Sequence, residues 1–68
     1  MEIEWKIREL RKEKNLTLSE LEKLSGTFVT NISYIERGIT KRPAFIDILK
    51  ISKGLKVDIK DLYEEIEK

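Results

Sequence analysis

Leu16 to Gly38 reads LTLSELEKLSGTFVTNISYIERG, and this stretch decides the fold. Thr17-Leu18-Ser19-Glu20 has the order of a capping box. In that motif the threonine hydroxyl takes the N–H of the residue three on, and the glutamate side chain reaches back. Leu21 and Leu24 then form the core edge of a short helix, with Leu16 stapled onto it from just before the cap. Gly26 ends that helix in a tight turn that a Cβ would obstruct. A second helix is predicted from about Phe28 to Arg37, with Thr27 as N-cap, Ile32 and Ile35 inward, and Gly38 as its stop. Two short amphipathic helices around a glycine turn make a helix–turn–helix, one helix bracing and the other offered to a DNA groove.

Outward from this block, the spacing of Ile3, Ile7 and Leu10 with the stem of Arg11 predicts a first helix over about Ile3 to Lys14, stopped at Asn15. Trp5 falls on its polar side. There it covers the end of the last helix near Tyr63 or Ile66, or marks a partner surface. Ile39 to Arg42 reads as a loop into Pro43, which suits the first turn of a new helix. That fourth helix is expected from about Ala44 to Lys53, with Phe45, Ile48, Leu49 and Ile51 as its apolar face, Leu55 beyond and Gly54 weakening its end. Asp58 caps a fifth helix with an apolar stripe of Ile59, Leu62, Tyr63 and Ile66. Five short helices, no strand and short connections give one compact all-α domain over residues 1–68.

Composition narrows the chemistry. Sixty-eight residues bury a marginal core, which a dimer interface would help. The chain holds neither cysteine nor histidine. That removes disulfides, thiol chemistry and the commonest general base and metal ligand. There is no glycine-rich phosphate loop and no metal-ligand spacing, so no enzyme, cofactor, metal or small-molecule substrate is expected. The N-terminal MEIEWKIREL lacks the apolar core of a signal peptide, and no apolar run is long enough for a membrane span, so a cytoplasmic protein is expected. The net charge of +1 hides an uneven distribution: residues 37–56 carry six bases and one acid, residues 57–68 two bases and five acids. A basic middle beside an acidic end is a polarised surface.

The order and spacing of IRELRKEKNLT, the L-x-x-L-x-G around Leu21 and Gly26, ISYIERG, TKRPAF and LKISKGLKVDIKDLY resemble the Cro/C1-type (XRE) helix–turn–helix family, which includes the lambdoid phage repressors. The resemblance runs ungapped from about Ile3 to Tyr63 and implies a five-helix, lambda-repressor-like DNA-binding domain with the motif at helices two and three. It implies an ion pair between Arg11 and Glu36, tying the first helix to the third. It places Leu18, Phe28, Val29, Thr30, Ser33, Tyr34 and Arg37 toward DNA, and makes Thr40 to Ala44, with Lys41 and Arg42, a phosphate-holding segment. Charge and the free N–H groups of the fourth helix give that segment a physical basis.

Four residues depart from the family's usual choices. Leu18 replaces a glutamine that hydrogen-bonds DNA, so that contact is lost or taken by backbone. Glu22 stands where a small residue packs between the motif helices, so it must snorkel outward or find a base. Phe28 and Val29 replace polar residues at the tip of the reading helix. Their apolar surface suits thymine methyl groups, or Phe28 folds back on Ile32 and caps the core. Tyr34 is expected outside, because Ile32 and Ile35 define the buried face.

The function expected is a sequence-specific regulator, a repressor, binding a pseudo-palindromic operator in double-stranded DNA as a homodimer. Ile59, Tyr63 and Ile66 are the candidates for the dimer seam. Only Glu67 and Lys68 follow the last helix, so control is expected from concentration, competition or a partner. The competing reading is an antitoxin or interaction module, with Leu18, Phe28, Val29 and Glu22 facing an antagonist or toxin protein.

Overall fold

The computed structural model describes residues 2–67. Its elements are β1 (Glu2–Trp5), α1 (Ile7–Glu13), α2 (Leu18–Ser25), α3 (Val29–Glu36), α4 (Phe45–Leu55), a 3-10 turn (Ile59–Asp61) and β2 (Tyr63–Ile66). One core gathers Ile7, Leu21, Ile32, Ile35, Ile48, Ile51, Leu55 and Leu62. Every helix contributes to it, as does the residue that ends the 3-10 turn.

Among the described residues the expected fifth helix is absent, and the first is shorter than its apolar spacing suggested. β1 and β2 pair antiparallel, with Glu2 opposite Ile66 and Trp5 opposite Tyr63. Over the described residues the architecture is therefore four α-helices plus a small sheet, not five helices. The sequence Glu2-Ile3-Glu4-Trp5 alternates charged and apolar side chains, which suits a pleated strand with one covered face. Trp5 does lie against Tyr63, but across the sheet, as an edge-to-face pair with centroids 6.0 Å apart. Tyr63 and Ile66 are three residues apart on a strand, so they face opposite sides, and Ile59 belongs to the 3-10 turn. The three do not form a helical stripe.

Glu4 stands directly opposite Glu64, a like-charge pairing that destabilises a sheet. Lys6 relieves it, with Nζ 3.7 Å from the Glu64 carboxylate.

The face each helix buries also differs from expectation at three places. Gly54 does not fray the end of α4. It lies inside the helix and lets α2 close on it: a Cβ there would stand 2.9 Å from the Ser25 Cβ. That close crossing turns Ile48, Ile51, Ser52 and Leu55 inward. Phe45 is left 68% exposed and Ile46 54% exposed. On α2, Leu21 and Ser25 face the crossing, and Leu24 is exposed. At Gly26 a Cβ would meet open space. The glycine is needed for its φ of +78°, the left-handed conformation that closes α2.

Candidate nucleic-acid interface

The brace helix begins as a capping box. Glu20 N–H donates to Thr17 Oγ1 at 3.1 Å, and Thr17 N–H donates to Glu20 Oε1 at 2.8 Å. These bonds hold the Glu20 carboxyl below its ordinary pKa.

The reading helix is capped differently from expectation. Phe28, not Thr27, occupies the N-cap position in an extended conformation. Glu22 supplies the acceptor: Val29 N–H donates to its Oε2 at 2.9 Å. The glutamate thus neither snorkels free nor meets a base. It bonds the first backbone donor of α3. Thr27 is buried with its hydroxyl unpartnered, while its N–H donates to Ser25 Oγ at 3.1 Å. The sequence held a signal for this cap, an acid seven residues before Val29, but no local motif has that spacing.

Arg11 reaches from α1 to the far end of α3. Its Nε donates to Glu36 Oε2 at 2.8 Å, its Nη2 to Glu36 Oε1 at 3.0 Å, and its Nη1 to the Leu16 carbonyl at 2.8 Å. The hydrogen bond to Glu36 raises the guanidinium pKa further.

α3 is therefore held at both ends. Along it, Thr30 and Asn31 are exposed, Val29 and Ser33 half-buried, and Tyr34 42% exposed. Phe28 at its tip is 73% exposed and does not fold back on Ile32. Leu18, at the start of α2, packs partly against the core. Arg37 caps the C-terminus of α3 and is exposed.

Past α3 the chain turns back at Gly38, with Ile39 and Thr40 N–H both donating to the Tyr34 carbonyl. This turn carries Thr40, Lys41 and Arg42 to the N-terminus of α4. Asn31 of α3 shares a cleft of about 160 Å³ with Thr40, Arg42, Ala44 and Asp47. Asn31 was not singled out from sequence, although it lies one turn before the buried Ile35. Ala44, the N-cap of α4, makes no side-chain cap bond. Trp5 Nε1 donates to the Lys41 carbonyl at 3.5 Å, a long bond that ties the terminal sheet to the basic loop. A helix start with free N–H groups beside two exposed bases attracts anions.

Comparison with known families decides the identity at this point. A helix-turn-helix family matches residues 7–62. The chain belongs to the Cro/C1-type (XRE) helix-turn-helix family. Two solved structures resemble it closely. The N-terminal DNA binding domain of SinR from Bacillus subtilis is 33% identical, with a TM-score of 0.81 over 93% of this chain and 91% of that one. The restriction-modification controller protein C.AhdI from Aeromonas hydrophila is 30% identical, with a TM-score of 0.76 over 82% of this chain and 83% of that one. No match emerges among curated protein sequences. The family is one of DNA-binding transcription regulators. Among the described residues, no helix is long and apolar enough to cross a membrane, and no cluster of side chains is suited to a metal ion.

Proposed function

We propose that this helix-turn-helix protein is a repressor that binds a pseudo-palindromic operator as a homodimer, with α3 of each protomer in the major groove of one half-site. The observation that carries this reading is the cleft in which Asn31 meets Thr40, Arg42 and Ala44. It sets the exposed face of the reading helix beside the basic loop and the open start of α4. Base readout and phosphate anchoring need that adjacency. Phe28 and Val29 meet thymine methyl groups. Thr30, Ser33 and Tyr34 supply hydrogen bonds to base edges. Arg37, Thr40, Lys41 and Arg42 hold the backbone. Leu18 contributes through its main chain.

The proposed dimer seam uses Ile59 and Tyr63. They line an apolar groove of about 340 Å³ with Trp5, Pro43 and the exposed Phe45. Apolar surface of this kind is what a marginal core gains from burying in a partner.

Selection of bound duplexes from a random library tests the function. The expected result is a palindromic consensus with half-sites about one DNA turn apart. Recovery of no enriched sequence, with no salt-sensitive retention of any duplex, overturns it. Exposure of both Leu24 and Phe28 favours a second reading, in which a protein antagonist covers the reading helix. A stoichiometric complex that releases DNA would support that role.

A further inference from the structure

Glu22 gives the reading helix a property that neither its hydrogen bond nor its family explains. An α-helix begins with backbone N–H groups that lack intrahelical partners, and its dipole makes that end attractive to anions. At the start of α3 this attraction is already met from within, because Glu22 Oε2 holds the Val29 N–H at 2.9 Å. The start of α2 is treated the same way, with Glu20 Oε1 on the Thr17 N–H at 2.8 Å. The start of α4 is not: Ala44 gives it no side-chain cap, and Lys41 and Arg42 precede it. Both motif helices thus carry their own carboxylate at the end where a phosphate would sit, whereas α4, beside the basic loop, has no side-chain cap at that end.

The charge matters beyond the bond. A neutral acceptor would serve the Val29 N–H, as hydroxyls and amides do at most helix starts. A carboxylate adds a full negative charge beside Phe28, at the tip of α3. Phosphates only repel that charge. In the groove it is offset where a base-edge amino group, cytosine N4 or adenine N6, faces it. Sequence-blind affinity comes from the phosphates a protein neutralises, and specificity is the ratio of cognate to non-cognate binding.

Resting on the DNA-binding reading above, we propose that Glu22 is a specificity-determining residue. Its charge withholds backbone attraction from the reading helix, so that α3 engages only where base edges compensate. It weakens binding to every sequence but weakens the wrong ones more.

The test is Glu22→Gln, whose amide oxygen still accepts the Val29 N–H. Binding is titrated over a salt series against the selected duplex and against a scrambled duplex of equal length, with circular dichroism melts alongside. For the scrambled duplex, affinity should rise about three- to tenfold and the salt slope should steepen by up to about one unit. For the selected duplex the gain should be smaller, so the specificity ratio falls. Equal changes for both duplexes, or none, with an unchanged melt, assign Glu22 to capping alone and overturn the proposal. If Glu22→Gln does not fold, Glu22→Ala supplies the small side chain and should show the same loss of ratio; unfolding of both overturns the proposal. Failure of the unsubstituted protein to bind any duplex is a different outcome, which removes the DNA-binding reading itself.

Discussion

The guanidinium of Arg11 and the carboxylate of Glu36 face each other as a two-bond fork, 2.8 and 3.0 Å long, joining α1 to the last turn of α3. The side chains are only 10% and 5% exposed, so neither charge has water to fall back on. Removing one partner leaves the other buried and uncompensated. Arg11→Ala or Glu36→Ala should each cost about 3–5 kcal/mol, whereas Arg11→Met with Glu36→Leu should recover much of that loss. Urea titrations of the three variants check this. A single variant as stable as the parent would show that water solvates the orphaned charge.

Gly54→Ala sets two effects against each other. Alanine favours a helix interior by about 1 kcal/mol. The new Cβ, however, would stand 2.9 Å from the Ser25 Cβ and 3.0 Å from Ser25 backbone atoms, which cannot swing aside. Overpacking should win, with a net loss of about 1–3 kcal/mol. Thermal melts decide the sign.

Thr27→Val should be neutral or stabilising. The threonine hydroxyl is buried without a hydrogen-bond partner, so it gains nothing to offset its lost hydration. The methyl groups of valine fill the same space. A melting temperature well below the parent's would mean that the hydroxyl has a partner in solution.

Acid should loosen the start of α2. The Glu20 pKa is lowered from 4.5, first by its bond from the Thr17 backbone and then by the Thr17 side chain. A depressed carboxylate contributes stability that is fully present above its unfolded pKa and lost as pH falls through the folded value. Melting temperatures measured downward from pH 6 or so should therefore fall more steeply for the parent than for Glu20→Gln below the ordinary glutamate range. Parallel curves would count against the cap.

Arg42→Ala should weaken DNA binding across sequences and flatten the salt slope by about one unit, because Arg42 is assigned to phosphate rather than to a base. Tyr34→Ala should instead relax the choice among sequences. Titrations of both variants at several salt concentrations separate the two roles. An unchanged slope for Arg42→Ala would remove its phosphate contact.

The helix-turn-helix block was legible because its signals are local and redundant. Thr17 and Glu20 form the capping box, Gly26 adopts the left-handed conformation, and Ile32 and Ile35 are buried. The terminal sheet was not. Ile59, Leu62, Tyr63 and Ile66 recur at helical spacing, and Ile3, Ile7 and Leu10 do the same across the end of β1. Two strands of four residues are each too short to show themselves, and neither is stable alone. Only their pairing, which sets Ile3 opposite Glu65, 62 positions on in the chain, resolves the ambiguity, and a local pattern cannot contain it. The candidate interface was half legible. Lys41 and Arg42 announce themselves by charge. The cap that Glu22 places on α3 depends on two helices crossing, and the exposure of Phe45 depends on Gly54 admitting α2 so closely.

The pairing of Glu2 with Ile66 makes the chain nearly a ring. A few residues of linker would join its ends without disturbing the core, and new ends could then be opened at an exposed turn elsewhere. The sheet also fixes where an attached tag or fused partner departs: from either end it leaves beside the same small sheet. Trp5, at the other end of that sheet, touches the Lys41 carbonyl, so a strand's length separates cargo at either end from the basic loop.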